Sequence, residues 1–501
     1  MSVGFQDFPT PPNSFGNTVA DIVPGPGGAV WFTETPEPYT TDLNGPNPKA
    51  LIRITPDGVS SNYSLGTGVG VVGIASGPDG SVWFTTYTTV RDPITHGRDS
   101  IFLGIDRIGP DGRLTKLVTD KAIEPTNSMK VGPDGNLWIA EWNPWVVGHP
   151  DDPTGRTFDR ITPAGVVTKF NAPNARSYDF AVGPDNSVWY TAELNPARGG
   201  LGPSRVIERL TPGGRVIDYP LPAADQAGGI PEKFTAGPDG NIWFVDAGIN
   251  RGDRAEIGRI TPTGSIAEYP IAANTAIGQI TAGSDGDLWF SEIVVKPARY
   301  GPHPTGVTKV GRITTGGSIT EFVAPSGSSQ PGPIAVGADG NVWFAYTEFN
   351  LHWFDLAAPD SYTRESIGRL VIPRPQVVRV DRVDPPNLSI QLGVTFSTGL
   401  DSAGAEDLAN YTLTAVGPGG RPGSGVRLDS AIYDPASRTV TIRVHGPLDP
   451  RVAYRLTIDG RSGHGLRSPE GFRLAGAGAG RAGTDYSTII PRAGRLSLAR
   501  R

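Results

Sequence analysis

Acidic side chains recur at a fixed offset from a repeated aromatic pair. Glu34, Glu141, Asp246 and Glu292 each stand three residues after a tryptophan, with Glu193 and Glu348 just beyond that offset. Carboxylates gathered at one end of a repeat are hard oxygen ligands of the kind that hold Mg2+ or Ca2+. Glu34, Glu141, Asp246, Glu292 and Glu348 are therefore the candidate metal ligands. The same carboxylates can instead pair with a repeated arginine, present as Arg53, Arg107, Arg160, Arg209, Arg259, Arg312 and Arg369.

A second set lies upstream. Eleven residues before the tryptophans stand Ala20, Val72, Asn127, Tyr178, Glu232, Gly278 and Gly332. Asn127, Tyr178 and Glu232 fall in three successive repeats, so they should converge on one point, as the polar groups of a ligand site do. Glu232 and Tyr178 can also exchange protons, and with His352 they are the candidate catalytic groups. The stretches that follow the carboxylates are longer than a plain hairpin needs. They carry His96, His149, His303 and His352 and the aromatics Tyr39, Tyr87, Trp142, Trp145, Tyr300, Trp353 and Tyr362. Trp142 and Trp353 complete the ligand-binding candidates, since exposed aromatics beside polar groups suit glycans and peptides. The histidines show no metal-ligand spacing. Arg251-Gly252-Asp253 is a chance-level tripeptide in a Gly-rich loop, and no G-x-S-x-G elbow is present.

The elements that must position these groups are legible as repeats. The phrase GPGGAVWF recurs as GPDGSVWF, GPDGNLWI, GPDNSVWY, GPDGNIWF, GSDGDLWF and GADGNVWF, with tryptophans at 31, 83, 138, 189, 243, 289 and 343. It alternates with LIRITPDG, IDRIGPDG, FDRITPAG, IERLTPGG, IGRITPTG, VGRITTGG and IGRLVIP. Pro-Asp-Gly is a turn tripeptide, and flanked by alternating apolar residues it makes a hairpin. Two hairpins per period are the four antiparallel strands of a propeller blade, and seven periods predict an all-β, seven-bladed β-propeller over 1–373. The tryptophans should pack between blades. FQDFPTP at the start matches the outer-strand phrases EYPIA and DYPLP, so residues about 3–10 should close the seventh blade. From 376 to 478 strand-like segments at sandwich spacing predict an immunoglobulin-like or fibronectin-like β-sandwich. The Gly/Ala/Arg-rich stretch 479–501 reads as a poorly ordered tail.

The pairing of GPDG-N-[VLI]-WF with IGRITP-x-G resembles the virginiamycin B lyase (streptogramin lyase) family and covers the propeller. The resemblance implies a magnesium-dependent, non-hydrolytic elimination on a cyclic depsipeptide, with a histidine base and metal-binding carboxylates at one rim. The family's histidine positions fall here on Gly278 and Gly332. One metal carboxylate falls on Gln330 or Pro331, and the second on Thr347 beside Glu348. Glycine cannot act as a base, so the family's mechanism is not expected. The expected role is a propeller that binds a small molecule, glycan or peptide on its loop-rich face. The alternatives are a divergent metal-dependent lyase or hydrolase, and an extracellular adhesion module.

Bulk composition sets the remaining limits. The net charge of −6 offers no basis for nucleic-acid binding, and no apolar run is long enough to span a membrane. Cysteine is absent, which removes disulfides and thiolate chemistry. A monomer is expected, at an extracellular or cell-surface address. The start MSVGFQDFPT lacks the pattern of a secretory leader, so that address assumes a leader replaced by the starting Met; a cytoplasmic address is the alternative.

Overall fold

The computed structural model describes residues 4–9, 17–36, 51–63, 65, 69–91, 98–118, 128–142, 156–172, 174–194, 204–222, 231–246, 255–295, 306–324, 331–350, 362–383, 390–461, 465–476 and 483–491. The chain divides into two compact units, Phe5–Leu370 and Val371–Arg501, the latter joined by Met1–Gly4. No described helix is long and apolar enough to cross a membrane.

Each repeat in the first unit folds into one four-stranded antiparallel sheet, and there are seven such sheets among the described residues. The fifth is representative, with strands Pro231–Ala236, Ile242–Asp246, Glu256–Ile260 and Ile266–Pro270 from inside out. The first hairpin of each sheet is closed by the GPDG phrase. In the second sheet Gly80 takes φ 79 and its amide donates to the Gly77 carbonyl at 2.9 Å. Asn186 takes φ 61 at the same place in the repeat that lacks this glycine. A left-handed residue is what this turn demands.

The innermost strands are Asn17–Pro24, Val69–Ser76, Met129–Val131, Ala175–Val182, Pro231–Ala236, Thr275–Ala282 and Pro331–Val336. Each contacts the next, and the last contacts the first, so the sheets close a ring around an axis. The N-terminal strand Gly4–Pro9 is the outermost strand of the last sheet, next to Tyr362–Val371. Phe8 stacks on Trp343 at 5.2 Å between ring centroids, and the Tyr346 hydroxyl donates to Asp7 at 2.9 Å. Both ends of the ring are thereby held in one sheet, and the outer edge of Tyr362–Val371 is covered.

The seven tryptophans are the wedges between sheets. Trp31 packs with Val71, Ile74, Val82 and Phe84 of the following sheet, and Trp343 with Val19, Ile22, Val30 and Phe32 across the closure. None is more than 2% exposed. Burying an indole of this size contributes about 5 kcal/mol gross.

The second unit holds two four-stranded sheets. One is ordered Val377–Val383, Gln391–Phe396, Thr439–Val444, Leu428–Asp434, the other Pro422–Val426, Tyr411–Val416, Tyr454–Ile458, Tyr486–Ile490. They share a core that includes Leu392, Val440, Leu413 and Leu456. The strand Tyr486–Ile490 corrects the reading of 479–501 as a tail throughout. It pairs with Tyr454–Ile458 and buries Ile490 to 4% exposure. Its short alternation follows a Gly-rich run, which is why composition masked it.

Candidate functional site

The axis is where the innermost strands bring polar groups together. Six of them carry an irregularity in pairing near their first turn, between Val19 and Asp21, Val71 and Ile74, Ala175 and Phe180, Glu232 and Thr235, Ile277 and Ile280, and Pro331 and Ile334. A bulge adds a residue to one strand and re-aims the side chain beside it. Hydroxyls two residues after the tryptophans tie these bulges down. Thr85 Oγ1 accepts from the Gly73 amide at 3.0 Å, and Ser291 Oγ accepts from the Gln279 amide at 3.2 Å. Ser291 Oγ also donates to the Gly332 carbonyl at 2.6 Å, linking the sixth sheet to the seventh.

The result is a shift of one residue. The axial cavity is lined by four residues that stand ten before a tryptophan, Asp21, Asp179, Lys233 and Gln279. The cavity measures about 260 Å³ and is lined further by Lys130, Thr235 and Thr281, while the intervening Ile22, Ile74, Phe234 and Ile334 are nearly inaccessible. Lys130 Nζ lies 3.8 Å from Asp179 Oδ1. Burial opposes the Lys130 charge, but Asp179 and Asp21 outweigh it and hold the ammonium above its ordinary range. Burial pushes the Asp21 carboxyl up, while Lys130, the Ile22 amide at 2.9 Å and Gln279 pull against it. Lys233 stands at φ 53. A left-handed conformation costs a non-glycine residue about 1–2 kcal/mol.

The groups expected to line the axis fare differently. Glu232 is half-buried opposite Val245, one residue before Lys233, and is not part of the cavity wall. Tyr178, Trp142, Glu34 and Glu348 lie on strands, but their side chains are outside the described residues. So are Asn127, His352 and Trp353 altogether, with the loops that carry the other propeller histidines. Tyr87 is buried at 4% exposure and covers Gly70, so it is packing and not an exposed aromatic.

The carboxylates after the tryptophans are held within their own sheets. Glu141 Oε2 accepts from Lys169 at 2.7 Å and from Thr157 at 3.1 Å. Glu292 is fully buried 3.8 Å from Lys309, and Arg205 lies 3.5 Å from Glu193. Asp246 pairs in register with Glu256 at the end of its strand. Among the described residues no three His, Asp or Glu side chains converge as a metal site.

The repeated arginines do not meet these carboxylates. Each arginine is registered directly opposite its tryptophan, as Trp83 with Arg107 and Trp189 with Arg209. Arg107, Arg209, Arg312 and Arg369 pair instead with turn carboxylates at the other end of the sheet. Arg107 bonds Asp79, Arg209 bonds Asp185, and Arg312 Nε donates to Asp287 at 2.9 Å. The Arg209 guanidinium also lies 5.3 Å over the Trp189 ring. The alternative pairing raised by the sequence is therefore corrected by strand register.

One row of buried acids escaped the sequence reading. Asp106, Asp159 and Glu208 precede the arginines of the second, third and fourth sheets and are nearly inaccessible. Burial and the Glu141 charge push Asp159 up to about 6, against the pull of Lys169. Burial and Glu321 push Glu292 up to about 7 in the same way, against Lys309. The signal was the acid in IDRI, FDRI and IERL, where the later repeats have Gly258, Gly311 and Gly368 beneath phenyl rings.

Ring closure, four-stranded sheets and a polar axial cavity define a β-propeller with a candidate small-ligand site. Residues 103–350 match the virginiamycin B lyase family, and the propeller is virginiamycin B lyase-like. A solved streptogramin B lyase is 23% identical with a TM-score of 0.46, over 74% of this chain and 98% of that one. A catalytically inactive virginiamycin B lyase from Staphylococcus aureus with quinupristin is 25% identical, TM-score 0.47, over 74% and 100%. The propeller domain of the trilobed protease from Pyrococcus furiosus is 12% identical, TM-score 0.41, over 66% and 91%. No curated protein matches the chain.

The family's magnesium was tested against the residues present. Its carboxylate positions fall on Gln330 or Pro331 and on Thr347, with glycine at both histidine positions. A Cβ on Gly332 would fall 2.2 Å from the Ala345 carbonyl oxygen, so the backbone there has no room for any side chain. The described residues do not fit that metal at that place.

Proposed function

We propose that this chain is a ligand-binding propeller of the virginiamycin B lyase family that does not carry out the family's elimination. The observation that carries the reading is the axial cavity of about 260 Å³, on which Asp21, Lys130, Asp179, Lys233 and Gln279 converge. Polar groups that converge on one enclosed space suit a small polar molecule. Gly278 and Gly332 supply no base, and an elimination cannot begin without one. The ring of seven sheets reads as seven blades, and the two-sheet unit as an immunoglobulin-like spacer on an exported, monomeric protein.

Thermal unfolding in the presence of a panel of small polar molecules tests this reading. A ligand bound only by the folded state raises the midpoint, by the equivalent of about 2.7 kcal/mol at a hundredfold excess over Kd. At least one small polar compound is expected to do so, and Asp179→Asn should abolish its effect. A panel of small molecules, glycans and peptides that leaves the midpoint unmoved would overturn the reading.

A further inference from the structure

Within the axial cavity the charges are unevenly matched. Lys130 sits between two carboxylates, close to Asp179 and within electrostatic reach of Asp21. Lys233 has no ion pair or hydrogen bond among the described residues, although it lines the same space. Asp21 accepts hydrogen bonds from the Ile22 amide and Gln279, and no ammonium or guanidinium lies within ion-pairing distance of it among those residues. The first sheet carries Asp21 and the fifth carries Lys233, so in a ring of seven they stand nearly across the axis from each other. A lysine without an ion pair and a carboxylate that shares its one nearby ammonium, Lys130, with Asp179 thus face one small cavity from two sides.

Lys233 is also where the chain holds a strained backbone. Its φ of 53 places a non-glycine residue in the left-handed region at the bulge between Glu232 and Thr235. Such strain persists where the surroundings enforce it, and it concentrates at ligand clamps. Here it turns the Lys233 side chain, rather than that of Glu232, toward the axis. Lys233 is half-buried, and an incoming anion would give its ammonium a charge-assisted partner.

We propose that the axial cavity binds a small zwitterion of the α-amino-acid class, its carboxylate on Lys233 and its ammonium on Asp21. The inference rests on the ligand-binding reading and names its ligand chemistry. An acid alone would satisfy Lys233 and leave Asp21 to share Lys130 with Asp179, and an amine alone would leave Lys233 without a partner.

Isothermal titration of the full chain with glycine, alanine and valine tests the proposal, with acetate and methylamine as single-charge controls. The variants are Lys233→Asn, which tolerates the left-handed backbone, Asp21→Asn, and Lys233→Arg, which restores the charge. Their unfolding midpoints serve as folding controls. The expected result is binding of a neutral amino acid and weaker binding of both controls. Affinity should fall about tenfold or more in Lys233→Asn and in Asp21→Asn, and recover in Lys233→Arg. Equal binding of acetate and glycine, or unchanged amino-acid affinity in Lys233→Asn, would overturn it. If amino acids fail while another small compound raises the unfolding midpoint, the zwitterion assignment falls and the ligand-binding reading stands. If nothing binds by either method, both fall.

Discussion

Gly332 lies so close to Ala345 that a Cβ on the glycine would stand 2.2 Å from the alanine carbonyl oxygen. The clash is with backbone of the neighbouring strand, which cannot rotate away as a side chain can. The Gly332 carbonyl is bonded in turn to Ser291 of the sixth sheet. The loss of the family's histidine here is therefore built into the backbone path.

Gly332→His should accordingly fail to restore a base. The expected effect is a destabilisation of about 2 kcal/mol or more, because overpacking against backbone forces the strands apart. Denaturant unfolding of the propeller checks it, and a variant as stable as the parent would show that the strand moves freely.

The ring closure predicts a second stability effect. Phe8 stacks on Trp343, and the Arg369 guanidinium lies 5.7 Å over the Phe8 ring. Phe8→Ala removes a half-buried ring from the one sheet built from both chain ends. A loss of about 2 kcal/mol is expected, read as earlier proteolytic cleavage of the N-terminal strand together with a lower unfolding midpoint.

Glu292 predicts a pH dependence. Its folded pKa of about 7 lies above the ordinary 4.5, with burial as the first cause, Glu321 adding to it and Lys309 opposing. The folded state keeps a proton that the unfolded state has released. This group's contribution to stability is full below about pH 4.5 and is lost as the pH rises to about 7, by about 3 kcal/mol. Asp159, raised to about 6, acts in the same direction over a narrower range. Glu292→Gln should flatten the profile, with a higher midpoint than the parent at pH 8 and little difference near pH 5. A parent profile rising from pH 5 to 7 with no change in the variant would contradict the assignment.

Repeats made the sheets legible because a turn tripeptide and a tryptophan recur at the ends of every inner hairpin. The site was legible only to within one residue. Counting eleven back from Trp243 reaches Glu232, but the bulge passes the inward position to Lys233, and the same step separates Tyr178 from Asp179 and Gly278 from Gln279. Period-two reasoning has no means to foresee a bulge, since nothing in TAIGQIT or PEKFTA marks it. The arginine partners were misplaced for a related reason. In an antiparallel pair the residue three after Trp138 faces the residue three before Arg160, which is Thr157. Glu141 and Arg160 thus lie at opposite ends of their sheet.

The second unit offers a test independent of the propeller. Ile490 is the residue through which the edge strand enters the shared core, beside Leu413 and Leu456. Ile490→Ala should cost about 2–4 kcal/mol in that unit. The expected calorimetric signature is one transition moved down and one left in place. A single transition that moves as a whole would show that the two units unfold together.

The central claim is that the family's scaffold persists here without its elimination. Incubation of the full chain with quinupristin and Mg2+, followed by liquid chromatography and mass spectrometry, tests it most directly. Elimination opens the ring with no change of mass, whereas hydrolysis adds one water. The account predicts only the cyclic substrate at its own retention time, with no isomeric product and no product heavier by one water, with and without chelator. A ring-opened product of unchanged mass that disappears on chelation would contradict it.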